Sequence, residues 1–224
     1  MLSAEKRAFF QGLYGICGPV GGRSSDDRVA ETVQWAERLL AGGARVVQLR
    51  DKESDGRTLL EAARRLRALT RQASALFIVN DRLDIALMAE ADGVHVGQDD
   101  LPVAAVRKVA AQCGREDLIV GLSTHDLAQV SEARELGADY IGFGPIHTTA
   151  TKKDALSPRG TGLLKEAVEL AGKMLPIVAI GGIGLPSLDP VVSTGVAMAA
   201  VIGDILQAPD PVARAAAIHG AFRR

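Results

Sequence analysis

Residues 177–184 read Ile-Val-Ala-Ile-Gly-Gly-Ile-Gly, a continuous apolar run that stops abruptly in glycines. A strand that is apolar at every position needs cover on both faces, as in a parallel sheet flanked by helices. The same alternation, a short apolar run and then a longer helical stretch, extends outward from it in both directions. Upstream runs are Leu13 to Cys17, Ala44 to Leu49, Leu76 to Val79, Gly93 to Val96, Leu118 to Gly121 and Tyr140 to Phe143. Pro176 to Ile180 is the seventh, and Ala197 to Ile202 the eighth. Helices are expected at Asp27 to Ala41, Gly56 to Gln72, Arg82 to Ala91, Pro102 to Gln112, Asp126 to Leu136, Gly162 to Gly172, Pro186 to Ser193 and Pro211 to Phe222. In the second of these, Leu59, Leu60, Ala63, Leu66 and Leu69 recur at the spacing of one apolar helical face.

Eight units in 224 residues average 28 residues each, close to the length of a compact βαβ crossover, ~30 residues. A closed (β/α)8 barrel, the TIM-barrel architecture, accommodates eight such units and leaves no sheet edge. An open dinucleotide-binding sheet suits six units better, and no GxGxxG follows the first strand. The expected organisation is one α/β barrel domain over 1–224, with a peripheral segment at 1–11 and a mobile active-site loop at 148–160. Residues 148–160 are polar, rich in Thr and Lys, and lack hydrophobic periodicity.

Lys and Arg number 26 against 27 Asp and Glu. That balance argues against a basic nucleic-acid coat or a polybasic membrane anchor, leaving room for a local positive pocket. Two distant cysteines, Cys17 and Cys113, form neither a disulfide framework nor a CxxC metal pair. The first ten residues lack the apolar core of a signal peptide, and every apolar run breaks well short of the ~20 residues that cross a bilayer. A cytoplasmic protein without nucleic-acid or membrane partners is expected. Homo-oligomerisation suits such a barrel, although no stripe marks an interface.

The loops after the strands form the functional face of this barrel class. After the second strand, Gln48, Arg50 and Lys52 alternate in Val-Gln-Leu-Arg-Asp-Lys, so period two puts them on one face. Arg50 offers a fork of donors and Lys52 a compact charge, a suitable pair for diphosphate oxygens; a solvated strand end with a local Arg–Asp pair is the competing reading. The third strand ends in Asn80-Asp81, and the fourth runs into Gly97-Gln-Asp-Asp100. Asp81 and Asp100 can hold a magnesium ion, or each can cap the helix that follows it. Asp84 is either a supporting group or a surface charge, and Asp99 is the weaker metal candidate. His95, between two valines, is better read as a hydrogen-bonded histidine shaping a pocket than as a general base. Ser123 can donate to an anion, and no GxSxG elbow surrounds it. Lys152 is placed to neutralise a leaving phosphate, with Thr149 and Thr151 as hydroxyl donors, whereas Lys153 is expected in solvent. Gly181-Gly182 and Ile202-Gly203 follow strands seven and eight, the common phosphate site of this architecture. Two anion sites, one suited to magnesium and one made mainly of backbone, suggest the joining of two phosphorylated substrates.

The chain resembles the thiamine-phosphate synthase (thiamine-phosphate pyrophosphorylase) family over nearly its whole length, from Leu13 onward. The resemblance rests on Val-Gln-Leu-Arg-Asp-Lys (47–52), Asn80-Asp81, Asp-Gly-Val-His-Val-Gly-Gln-Asp-Asp (92–100), Gly-Leu-Ser (121–123), Gly-Phe-Gly-Pro-Ile-His-Thr-Thr-Ala-Thr-Lys (142–152) and Ala-Ile-Gly-Gly-Ile (179–183). It implies a TIM-barrel transferase of thiamine biosynthesis. Such an enzyme condenses 4-amino-2-methyl-5-hydroxymethylpyrimidine diphosphate with 4-methyl-5-(2-phosphooxyethyl)thiazole, by magnesium-assisted, SN1-like loss of diphosphate. By the same resemblance Gln48, Arg50, Lys52 and Asn80 contact the pyrimidine diphosphate, Asp81 and Asp100 bind magnesium, and Ser123 and Lys152 contact the diphosphate. Arg50, Lys52, Ser123 and Lys152 are the implied catalytic set. Thr149, Thr151, Gly182 and the backbone of Ile202 and Gly203 surround the thiazole phosphate.

Three positions depart from the usual family pattern. Asp51 stands where Glu is usual, a change of little consequence if the carboxylate faces solvent. Thr148 replaces a proline, which loosens the loop that follows. Gly203-Asp204 stands where Ser-Ala is more common, which removes a hydroxyl and adds a charge that would repel phosphate if it pointed there. The alternatives are a thiazole tautomerase on the same barrel and a non-enzymatic phosphate-ligand binder; neither needs a magnesium pair with Lys152.

Overall fold

The computed structural model describes residues 2–21, 24–149 and 156–223. The first half comprises α1 (Ala4–Arg7), β1 (Gly12–Cys17), α2 (Ser25–Ala41), β2 (Val46–Leu49), α3 (Gly56–Gln72), β3 (Leu76–Asn80), α4 (Leu83–Met88), β4 (Gly93–Val96) and α5 (Val103–Gln112). The second half comprises β5 (Ile119–Thr124), α6 (Leu127–Glu135), β6 (Tyr140–Phe143), α7 (Gly160–Ala171), β7 (Ile177–Ile180), α8 (Leu188–Val192), β8 (Met198–Ala200), α9 (Gly203–Leu206) and α10 (Pro211–Ala221). All eight strands pair in parallel and in sequence order, and β8 returns to β1 to close the barrel.

Period two divides each strand between two cores. Outward residues such as Val47, Phe77, Val94, Val120, Ile141 and Ile177 pack with the surrounding helices. Inward residues, among them Tyr14, Val46, Ile78, Ile119, Tyr140, Val178 and Met198, fill the barrel itself. Glycines interrupt the inner layer where the largest inward side chains sit. A Cβ on Gly121 would run into the Tyr140 ring and stand 2.5 Å from His95 Nδ1, and one on Gly142 would lie 3.4 Å from His95 Cε1. The absent Cβ of Gly121 is thus the space that lets Tyr140 and His95 meet inside the barrel.

Helix α1 closes the end of the barrel opposite the functional face. Lys6 pairs with Asp117 at 3.1 Å, Arg7 donates to the carbonyl of Lys173, and Arg45 stacks over Phe9. Phe10 is buried, with its ring centroid 4.8 Å from that of Tyr140. Removing a buried aromatic ring leaves a cavity in addition to losing its transfer energy. Phe10→Ala is therefore expected to cost about 3 kcal/mol, read as a lower denaturation midpoint at unchanged m-value; an unshifted midpoint would show that the plug contributes nothing.

Two expected helices are shorter than their apolar spacing suggests. The stretch from Arg82 to Ala91 is helical only over α4, and the chain reverses through Glu90 at φ +53°. The stretch from Pro186 to Ser193 splits into a 3-10 turn, Leu185–Ser187, and the short α8. Among the described residues, no helix is long and apolar enough to cross a membrane. Both cysteines are free, Cys17 buried and Cys113 exposed.

Candidate active site

Gln48, the last inward residue of β2, is buried and donates from Nε2 to Tyr14 Oη at 3.0 Å. Arg50 follows, half-buried, with no carboxylate partner among the described residues. Lys52 reaches across to Asp81, Nζ to Oδ2 3.1 Å. The local Arg–Asp pair of the competing reading does not form, because Asp51 turns away to Arg28 (2.9 Å) and accepts the backbone N–H groups of Glu53 and Ser54. Its carboxylate is only 5% exposed, so the condition under which the Glu-to-Asp difference would matter little, a solvent-facing carboxylate, is not met. It ties the loop after β2 to α2 and leaves Arg50 without it as a partner.

Asn80 ends β3, and Asp81 adopts a left-handed φ of +61° that non-glycine residues rarely hold. Its backbone N–H donates to the carbonyl of His95 at 2.8 Å, which locks the turn. Asp100 accepts the N–H of Gly97 at 2.7 Å. Neither acid caps a helix: the N-cap residues are Arg82 for α4 and Pro102 for α5, and neither helix has a side-chain cap. Capping is thereby removed as a reason for these two carboxylates to be where they are. Burial pushes the Asp81 carboxyl up, Lys52 pulls it back, and the nearby Asp100 raises it again. Two carboxylates crowded in this way favour a cation between them. Asp84 forms a two-pronged pair with Arg82 on the surface and is no part of the group.

His95 sits inside the barrel between Tyr140 Oη (3.0 Å from Nδ1) and Ser123 Oγ (2.9 Å from Nε2). Burial pushes its pKa down to about 4, against the pull of Asp100, so the imidazole is neutral at ordinary pH. The pocket-shaping role expected of His95 is the one its partners describe. A Ser–His contact invites comparison with a hydrolase, but the far nitrogen faces a phenol where a nucleophilic triad would place an acid. Ser123 lies within β5 itself, not in the loop beyond it.

Across the mouth, Gly181 and Gly182 turn with φ of +100° and +64°. A Cβ on Gly182 would strike the Thr148 carbonyl and come within 2.8 Å of His147 Cβ. The loop after β6 lies directly against this turn, with Ile146 and His147 donating to the carbonyls of Ile180 and Gly181. Ile202 and Gly203 follow β8 at the start of α9. Asp204 points away from the mouth: it pairs with Arg214 at 2.6 Å and accepts the N–H of Leu185 at 2.9 Å. The repulsion it threatened is answered by that pairing, which also ties the loop after β7 to α10.

A family model described as thiamine monophosphate synthase matches residues 19–205. The chain belongs to the thiamine monophosphate synthase family. It is 43% identical over 221 residues to the thiamine-phosphate synthase of Anaeromyxobacter dehalogenans, spanning 99% of this chain and 92% of that protein. It is 44% identical to the thiamine-phosphate synthase of Chlorobium phaeovibrioides, spanning 83% of this chain and 86% of that protein. The solved structure of a thiamine phosphate pyrophosphorylase from Pyrococcus furiosus superposes with a TM-score of 0.83 at 34% identity, covering 97% of each chain.

For this thiamine monophosphate synthase family member, the residues expected from sequence divide into two arcs of the mouth. Gln48, Arg50, Lys52, Asn80, Asp81, Asp100 and Ser123 gather at the ends of β2 to β5. Gly182, Ile202 and Gly203 line the β7–β8 side, and Thr149 is half-buried beyond β6. Thr151, Lys152 and Lys153, within the stretch 150–155 of the expected loop, lie outside the described residues. Sequence reasoning missed Tyr14 and Tyr140, whose hydroxyls meet at 2.7 Å inside the barrel. The available signal was their polar tip at inward strand positions, in a core otherwise free of hydroxyls on large residues.

Proposed function

We propose that this enzyme is a transferase joining 4-amino-2-methyl-5-hydroxymethylpyrimidine diphosphate to 4-methyl-5-(2-phosphooxyethyl)thiazole, with thiamine phosphate and diphosphate as products. The observation that carries this reading is the Asp81–Asp100 carboxylate pair beside Lys52 and Arg50. A thiazole tautomerase or a phosphate-ligand binder would use the β7–β8 turns and have no need of this group.

The donor set suits magnesium, which takes one or two carboxylates and completes its shell with phosphate and water oxygens; among the described residues there is no cluster of three or more ligating side chains that would favour zinc. Held by Asp81 and Asp100, magnesium would supply charge neutralisation to diphosphate oxygens. Arg50, Lys52, Lys152 and the Ser123 hydroxyl oppose the charge that grows on the leaving group. Gln48 and Asn80 orient the pyrimidine. The bond from its methylene carbon to the diphosphate oxygen breaks, and the electron pair leaves with diphosphate. The aminopyrimidine ring delocalises the resulting positive charge, so no protein nucleophile is required. The thiazole nitrogen then gives its lone pair to that carbon. Gly182, the backbone of Ile202 and Gly203, and the hydroxyls of Thr149 and Thr151 hold the thiazole phosphate so that nitrogen, rather than water, arrives first.

Calorimetric titration of the pyrimidine diphosphate tests this reading against its rivals. Binding is expected with magnesium and to weaken strongly when the metal is chelated. Absence of binding under both conditions would favour the tautomerase.

Gly203 offers a second test, on the thiazole side. Its backbone is not left-handed, and a Cβ there would meet nothing within 4 Å. Gly203→Ser is expected to lower KM for the thiazole phosphate about fivefold, the worth of one added hydrogen bond, with kcat unchanged. A raised KM would take Gly203 out of the phosphate site.

A further inference from the structure

Five side chains form a continuous hydrogen-bonded line across the barrel interior, joining one substrate-facing residue to another. Gln48 Nε2 donates to Tyr14 Oη (3.0 Å), Tyr14 and Tyr140 hydroxyls meet (2.7 Å), Tyr140 Oη meets His95 Nδ1 (3.0 Å), and His95 Nε2 meets Ser123 Oγ (2.9 Å). Tyr14, Gln48, Tyr140 and His95 are all buried, so bulk water offers no alternative partners.

Such a line has only two self-consistent directions, because each hydroxyl and the neutral imidazole own a single proton on the path. The Gln48 amide nitrogen can only donate. The Tyr14 proton must then go to Tyr140, the Tyr140 proton to His95 Nδ1, and the Nε2–H of His95 to Ser123. Ser123 is left with its own proton free to point into the mouth. In the opposite direction Ser123 would spend its proton on His95 and present only lone pairs, which repel an anion.

We propose that Tyr14 and Tyr140 are positioning residues that carry the direction of the Gln48 amide to His95, fixing the Nε2–H tautomer and aiming the Ser123 hydroxyl proton at the departing diphosphate. The last clause rests on the functional reading above; the tautomer does not.

The test uses Gln48→Glu at alkaline pH, where an ionised carboxylate accepts and cannot donate. Histidine-15N-labelled enzyme without substrate is observed by long-range proton–nitrogen correlation, and His95 is assigned from the signal lost in His95→Gln. Wild type is expected to show the Nε2–H tautomer and Gln48→Glu the Nδ1–H tautomer, although residue 48 does not touch His95. With the line cut by Tyr140→Phe, which removes the hydroxyl that meets His95, Gln or Glu at 48 should give the same His95 spectrum. A His95 tautomer indifferent to Gln48→Glu, or still responsive after the cut, overturns the relay. In activity, Ser123→Ala should lower kcat/KM at least tenfold in wild type and have no effect in the Gln48→Glu background. No effect of Ser123→Ala in wild type would overturn the assignment of Ser123 to diphosphate while leaving the relay to be decided by the spectra.

Discussion

Asp81→Asn and Asp100→Asn are each expected to lower turnover at saturating magnesium by a hundredfold or more, the scale on which loss of a main electrostatic stabiliser acts. Asparagine is the informative replacement. It tolerates the left-handed backbone of residue 81 as aspartate does, and at residue 100 its side-chain oxygen can still accept the Gly97 N–H. The fold is preserved and the charge removed. The pair stands at the turns after β3 and β4, Asp81 pinned by its N–H to the His95 carbonyl and countered by Lys52. Because neither acid caps a helix, stability has little claim on them. Equal thermal midpoints with collapsed kcat would assign both to the chemistry. Near-normal turnover in either variant would remove that residue from the metal site.

Gly121→Val should disrupt the inner core severely. The first added carbon already overlaps the Tyr140 ring and stands 2.5 Å from His95 Nδ1, and neither neighbour is the free end of a flexible chain. Overpacking a closed barrel forces backbone movement in β4, β5 and β6 together. A loss of about 3 kcal/mol in stability is expected, with activity falling further than stability alone explains, because His95 and Ser123 are displaced as well. A denaturant midpoint within error of wild type would show that the barrel interior is looser than its packing indicates.

The barrel was legible because parallel strands covered on both faces carry their signal in every residue, and 177–180 carries it with no polar interruption. Period two put Gln48 and Arg50 on one face, and Gln48 is found buried inside the barrel. The period could not say which face looked into the barrel, because both sides of each strand are apolar here. The polar tips of Tyr14 and Tyr140 were a signal that could not be used for that reason, and the need for Gly121 went unseen with them. The orientations of Asp51 and Asp204 were left open in sequence because their partners, Arg28 and Arg214, lie on α2 and α10, and no local rule pairs them. Asp81 and Asp100 were open between capping and metal in sequence, and the N-caps at Arg82 and Pro102 remove only the capping reading. Glu90 shows the converse limit: a left-handed residue that ends α4 early has no sequence signature when it is not glycine.

The most direct measurement is condensation itself. Purified protein is given both phosphorylated halves, with and without magnesium, and thiamine phosphate is followed by HPLC as its fluorescent thiochrome derivative. The account predicts product that requires both halves and magnesium and appears with an equal amount of diphosphate. No product, from intact protein with verified substrates, would contradict it and return the thiazole tautomerase to first place.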